Sequence, residues 1–398
     1  MSRRPAVILI GSGSEQRHRE LLAELGEAAA VTLLQPGEIG WQLPFVARAM
    51  SIDPTDLPSV VRTVAELAPG VDGVLSYEEI LLPLVGEVTR HTGVPGLPYP
   101  ASLVVRDKHA QRSRLNEAAG LRPVRSVVVR DVEAAAAAAA AIGYPVVVKP
   151  RNMSGSLGVT VVADEAELAA AVAFGLDARG GGMDPIGDAI VEEFLDGVEF
   201  SVDCWVLDGR AGALFTGRIT KGFAPQAINT GCVVGRGIAA PEALRAVEHA
   251  GCLAAVECGL NRTIANVDLR WVDGEPRVLE VNGRPAGEAL PRLAGMSSGL
   301  RVGTALAEVV AGREPAAPPS PRRAAGIAFL YPRAAGPFRG LTVPPDLDVV
   351  EVRETRAVGE VVAPPPEDPW GRVGWVIATG PDADAVATKL ADARARIT

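Results

Sequence analysis

Aromatic residues are scarce in this chain of 398 residues, only 4%, and there are just four cysteines, four histidines and four lysines. Each shortage excludes something. Cys204, Cys232, Cys252 and Cys258 form no CxxC pair, which argues against a zinc ribbon or a disulfide scaffold and for small buried thiols in a reducing cytoplasm. His18, His91, His109 and His249 are too scattered for a histidine-based metal site. No uninterrupted apolar run approaches the roughly 18 residues of a membrane span. The first apolar run, residues 6–10, is too short for a secretory signal and reads as a buried strand. The net charge is −9 and no basic run breaks it, so nucleic acid is not the expected partner.

What is plentiful is apolar residue, 48% of the chain, enough for two or three packed domains. Short β-like runs at 6–10, 30–34 and 71–75 alternate with helical stretches at about 15–26 and 81–91, the pattern of a parallel α/β sheet. Gly11 and Gly13 suggest a dinucleotide fingerprint, but Gln16 stands where its third glycine belongs. A tight strand-to-helix turn is the better reading, whose helix N-terminus is able to receive an anion. Asp107 and Asp131 are N-cap candidates, the latter for a helix through the alanine run 134–141, which ends at Gly143. Strands are expected at 125–129, 145–149, 159–162, 190–195 and 199–207, a glycine-rich mobile loop at 178–187, and a Pro/Ala linker at 313–321. Short strands and a last helix over 382–397 follow.

Two constellations carry chemistry. Lys149 ends an apolar strand on the same face as Val147, and a loop holding Ser154, Gly155, Ser156 and Gly158 follows. Such a loop turns N–H and hydroxyl groups onto a phosphate while the lysine adds a point charge; taken alone, it also describes a hairpin with a surface lysine. In the second, Asn266, Asp268 and Arg270 share one face of a strand, and Glu280 and Asn282 one face of the next, across an Asp273-Gly274 turn. A two-residue turn sets Asp268 and Glu280 on opposite faces. A three-residue loop with Gly274 left-handed sets them on one face, with Asn266 opposite Glu280 and Asp268 diagonal to it, and this loop is the expectation. Two carboxylates and an amide oxygen suit a hard divalent cation, with Arg284 close behind; the alternative is the solvated face of an edge hairpin.

With these residues in order, the sequence resembles the ATP-grasp superfamily. The likeness rests on Arg106-Asp107-Lys108, on Gly143 to Lys149, on Val191-Glu192-Glu193-Phe194-Leu195 with Gly197 to Val202, and on Leu279 to Arg284. It implies an ATP-grasp fold of the α/β class: an N-terminal Rossmann-like domain over 1–105, an ATP-grasp domain over 106–312 with a lid at about 144–205, and a small C-terminal α+β domain over 313–398. It implies that Lys108 and Lys149 contact ATP phosphates under the Ser154–Gly158 loop. Glu192 would receive the adenine amino group, and the backbone of Glu193, Phe194 and Leu195 would read the ring edge beside a ribose near Glu199. Asp268, Glu280 and Asn282 would hold one or two Mg²⁺ ions, with Mn²⁺ as substitute, and Arg284 would stabilise the phosphoryl group in transfer. Asp268 stands where the family more often has Glu.

The C-terminal part resembles that of L-amino acid ligases, which implies a cytoplasmic carboxylate–amine ligase for a small carboxylic acid and an amine. Related enzymes are often dimers, which leaves a homodimer open. Those ligases often have an acid in the region 224–230, where this chain has none. Arg218 and Lys221 are candidates for a substrate carboxylate, along with Arg284 and Gly287; exposed strand cations are the alternative for the first two. Two other readings stay in play, a carboxylase or phosphotransferase and a nucleotide-binding module without catalysis.

Overall fold

The computed structural model describes residues 3–180 and 186–397. Of the glycine-rich loop expected at 178–187, residues 181–185 lie outside the described residues. Strand Ala6–Ile10 is buried at four of its five positions, as a strand covered on both faces must be. It pairs in parallel with Ala30–Gln35 and Gly73–Leu75, and Arg48–Ser51 extends the sheet. Gly11 and Gly13 turn the chain into helix Glu15–Ala28 with φ of +73° and +62°. The turn's amides are already satisfied: Ser12 N–H donates to Gln35 Oε1 (3.1 Å) and Gly13 N–H to Glu78 Oε1 (2.9 Å). The turn itself is held by packing and by these side-chain acceptors.

The lid is a four-stranded antiparallel sheet in the order Ser126–Val129, Ala189–Glu193, Val146–Pro150, Thr160–Val162. Helices Val132–Ile142 and Glu165–Leu176 cover it with a core of small side chains such as Ala135, Ala139, Leu168 and Ala171. The alanine run is helical as expected, and Asp131 caps it by accepting from Ala134 N–H (2.8 Å). The lid sheet starts before 144 and ends before 205. Strand Val198–Leu207 pairs with Arg210–Gly222 and Thr263–Val272 instead and belongs to the body.

That body is one eight-stranded sheet, antiparallel throughout. Its order is Glu275–Asn282, Thr263–Val272, Val198–Leu207, Arg210–Gly222, Ile228–Gly235, Ala324–Leu330, Gly374–Gly380, Glu351–Glu354. The boundary expected near 312 does not interrupt it, because Ala324–Leu330 pairs directly with Ile228–Gly235. Helix Ala383–Arg396 packs over this junction, and its core includes Val233 and Ile238 from before the boundary. All four cysteines are free, and no helix among the described residues is long and apolar enough to cross a membrane.

The N-terminal domain docks on the body through helix Val302–Val310, which lies against helix Glu15–Ala28 in one apolar cluster. The approach depends on Gly303, where a Cβ would stand 2.4 Å from the Leu21 carbonyl oxygen and 2.7 Å from Leu25 N. Its N–H donates to Glu24 (2.9 Å). Gly303→Ala is expected to destabilise the protein by about 1–3 kcal/mol through overpacking, read as a lower urea midpoint. An unchanged midpoint would show that the two helices are not held this closely.

Candidate active site

The second constellation folds as a hairpin whose turn has two residues, not three. Val272 pairs with Glu275, and Asp273 and Gly274 both take left-handed conformations (φ +50° and +83°). On its own this turn would put Asp268 and Glu280 on opposite faces. The register shifts by one between Leu269↔Val278 and Asp268↔Glu280, leaving Leu279 as the extra residue of a β-bulge. Asp268 therefore stands directly opposite Glu280 and Asn266 opposite Asn282, which corrects the expected pairing while keeping all four on one face.

Across three strands this face forms rungs: Asp203–Asn266–Asn282, Ser201–Asp268–Glu280, and Glu199–Arg270. Asp203 is fully buried. It accepts from Asn266 Nδ2 (2.9 Å) and from the Ala286 N–H (3.0 Å), and so fixes the turn that carries Arg284. Burial raises its carboxyl to about 7 against the help of these donors. Asp268 is also pushed up to about 7, by burial first and then by the nearby Glu199 and Glu280.

The cations each meet an acid. Lys149 Nζ lies 2.7 Å from Glu192, since strand pairing sets Val147 opposite Glu192 and Lys149 opposite Ile190, on one face of the lid sheet. Burial pushes the Lys149 ammonium down, Glu192 opposes this, and Arg112 and Lys108 add to it. Burial alone would raise the Glu192 carboxyl, but Arg112 and Lys149 outweigh it and hold it low. Lys108 Nζ lies 2.7 Å from Glu280 and donates to the Met153 carbonyl. Arg284 Nη2 lies 2.9 Å from Glu79 of the N-terminal domain, which also pairs with Arg106.

The structure brings part of the expected set together. Ser154, Gly155, Ser156, Asp268, Glu280, Asn282, Arg284 and Gly287 line one cleft of about 610 Å³. Gly158 is left-handed (φ +74°), and a Cβ there would meet Pro150 at 2.6 Å. Leu195 gives its carbonyl, and Phe194 its ring face, to Arg270. Glu193 accepts from the Arg125 N–H and from Arg277.

Three of the expected residues have partners of their own. The Glu192 carboxylate pairs with Lys149 and Arg112. Lys221 pairs with Glu199 (2.8 Å). Arg218 bonds the Ile238 carbonyl (3.4 Å) and approaches Asp384 on the last helix, outside the cleft. Residues that sequence reasoning missed are Glu79, Asp203 and Arg112. The buried Arg112 donates to Glu192 and to the carbonyls of Val278 and Leu279. Only Asp203 carries a sequence signal, a lone charge between Val202 and Cys204, and that signal is too common to be specific.

The donor set fits Mg²⁺. It is all oxygen, and its two facing acids already repel each other. Among the described residues no three His, Cys, Asp or Glu side chains form a closed cluster. A Mg²⁺ site built of few carboxylates plus substrate phosphates needs none.

The chain carries an ATP-grasp domain. Residues 142–291 match the ATP-grasp domain. Residues 328–398, behind it, match the L-amino acid ligase C-terminal domain 2. An uncharacterized protein of Sinorhizobium fredii, y4rH, is 30% identical over 248 residues, 61% of this chain and 50% of that protein. D-alanine–D-alanine ligase A of Brucella suis biovar 1 is 29% identical over 197 residues, 49% of this chain and 50% of that one. The crystal structure of an L-amino acid ligase from Bacillus licheniformis superposes with a TM-score of 0.82 at 21% identity, over 100% of this chain and 98% of that one, a likeness of fold. The chain spans about half the length, or less, of the curated relatives it matches.

Asp203 allows a test of the site's electrostatics. Its folded carboxyl titrates at about 7, above its ordinary 3.8. Between those values the folded protein holds a proton that the unfolded chain has lost. Its contribution to stability therefore falls as pH rises from about 4 to about 7, and is level above. Asp203→Asn should weaken the pH dependence of the urea midpoint across that window by roughly one proton. An unaltered slope would mean that Asp203 is ionised throughout.

Proposed function

We propose that the chain is an ATP-dependent carboxylate–amine ligase. It phosphorylates a small carboxylic acid, an amino acid in the simplest case, to an acyl phosphate and joins it to an amine, giving an amide or dipeptide with ADP and phosphate. The observation that carries this reading is the meeting of Asp268, Glu280, Asn282, Arg284 and Lys108 at one end of a cleft whose other end is built by the L-amino acid ligase C-terminal domain. The ligase names of relatives such as D-alanine–D-alanine ligase A support it.

A carboxylate is a poor electrophile at neutral pH. Its oxygen attacks the γ-phosphorus, ADP leaves, and the mixed anhydride formed has a good leaving group. One or two Mg²⁺ ions held by Asp268, Glu280 and the Asn282 amide oxygen would neutralise phosphoryl oxygens, and Mn²⁺ suits the same donors. Lys149 and Lys108 would meet the nucleotide phosphates, and Glu192 and Glu280 hold these lysines in place. Arg284, oriented by Glu79, is placed to meet charge that develops on the phosphoryl group. The amine nitrogen then attacks the acyl carbon, loses a proton, and phosphate departs.

Water must be kept from the anhydride. The Ser154–Gly158 loop supports this, since it reaches the C-terminal domain: Trp370 Nε1–H donates to the Gly155 carbonyl (3.2 Å).

The test is ADP and phosphate release from MgATP with amino acids supplied singly and in pairs. Release that requires two components is expected. Chelation of the metal should abolish it, and Glu280→Gln or Lys149→Met should each reduce it about a hundredfold or more. Full release with a single acid would replace the ligase by a phosphotransferase, and ATP binding without release from any pair would leave a binding module.

A further inference from the structure

A second cavity, of about 800 Å³, lies beside the cleft and shares only Phe329 with its wall. It is lined by the end of strand Arg210–Gly222, by the segment Phe329 to Leu341, and by Arg394 and Ile397 at the end of the last helix. Leu330, Phe338, Val362, Val373 and Ile397, from the core under that helix, make it largely apolar. Phe223 meets Tyr331 edge-on, with ring centres 4.8 Å apart. The Tyr331 hydroxyl donates to the Asn229 carbonyl (3.1 Å) and accepts from Arg372 Nε (3.1 Å), so this wall is fixed from within the protein.

The charge of the cavity is of one sign. Lys221, Arg333, Arg339 and Arg394 line it, and among the described residues no acid does. Lys221 is neutralised by Glu199 (2.8 Å), and Arg333 and Arg339 are exposed to solvent. Arg394 is different. Its Nη2 is buried without a hydrogen-bond partner, and no described residue offers the guanidinium an acceptor. This nitrogen lies against strand Ile228–Gly235, where a Cβ on Gly231 would stand 3.4 Å from it. Burial lowers the pKa of the group below its ordinary value, and only the nearby Tyr331 opposes this. Arg396, two residues on, has both Asp346 and Asp392. A cation taken from water without a counter-ion is costly, and calls for an anion.

The complementary group carries one negative charge, offers two oxygens to the edge of a guanidinium, and has an apolar body. A carboxylate meets the first two demands through paired N–H···O bonds. A phosphate dianion would bring a second charge and further oxygens against walls with few donors. The volume is within the roughly 300–1,000 Å³ of small-molecule sites. We propose that this cavity is a second ligand site, separate from the cleft, which binds an apolar monocarboxylate through Arg394. Arg333 and Arg339 favour the approach of an anion. The assignment is independent of the reaction performed in the cleft.

The experiment is calorimetry on the whole chain with MgADP present, using hexanoate and 3-phenylpropanoate as probes. 3-Phenylpropanamide and inorganic phosphate are the controls. The carboxylates should bind, and the amide about tenfold more weakly or less well still. Arg394→Leu should raise the Kd of both carboxylates about ten- to a hundredfold, with Arg394→Lys recovering part of the loss, while Arg284→Gln in the cleft leaves it unchanged. Without probe, Arg394→Leu should keep or raise the melting midpoint, because it breaks no bond and removes an uncompensated charge. The proposal is overturned if neither carboxylate binds, or if binding survives Arg394→Leu and is lost with Arg284→Gln, which would put the probe in the cleft. Phosphate binding in place of the carboxylates would overturn the ligand class. A lower melting midpoint for Arg394→Leu would show that the guanidinium already has its partner within the chain, and would equally end the proposal.

Discussion

A buried guanidinium must be matched on nearly every N–H, and the way Arg112 meets that demand organises the part of the molecule around the cleft. Its side chain leaves helix Lys108–Glu117, grips the Glu192 carboxylate of the lid, and takes the Val278 and Leu279 carbonyls of the body hairpin. Leu279 is the bulge residue, whose carbonyl is thereby satisfied where the ladder is broken. Because the bulge exists, Glu280 faces Asp268; because Glu192 is held, Lys149 has a fixed counter-ion. Breaking a buried ion pair by removing one partner costs about 3–5 kcal/mol, so this junction is not free to drift.

Around it each cation has a fixed counter-ion. Lys149 rests on Glu192, Lys108 on Glu280, Arg284 on Glu79 and Lys221 on Glu199. These pairs hold the cations in set positions. The cost falls on the acids. Asp268 and Asp203 titrate near neutrality because burial and crowding leave their charge poorly compensated.

The parts of this arrangement visible in the sequence are those set by local physics. Apolar runs ending in glycine marked the strands, and Asp107 and Asp131 were legible as caps because an N-cap carboxylate bonds an amide two or three residues ahead. Strand period alone put Lys149 beside Val147, and Asp268 beside Asn266. The hairpin register was out of reach, since the bulge is held by an arginine some 166 residues earlier in the chain. Glu79 was invisible for the same reason: its pair with Arg284 crosses a domain contact that no spacing encodes. Arg218 shows the reverse, a cation in a promising strand that turns toward the last helix.

The unbroken eight-stranded sheet bears on how such a protein is to be taken apart. Severing the chain near residue 312 would strip Ile228–Gly235 of its neighbour and bare Val233 and Ile238 to water. The naked strand edge would then offer itself to other chains. The C-terminal part is half of a shared structure, unlike a bead on a string, and chimaeras made by swapping it would inherit a seam through the middle of the sheet. The lid sheet, by contrast, draws all four of its strands from residues 126–193.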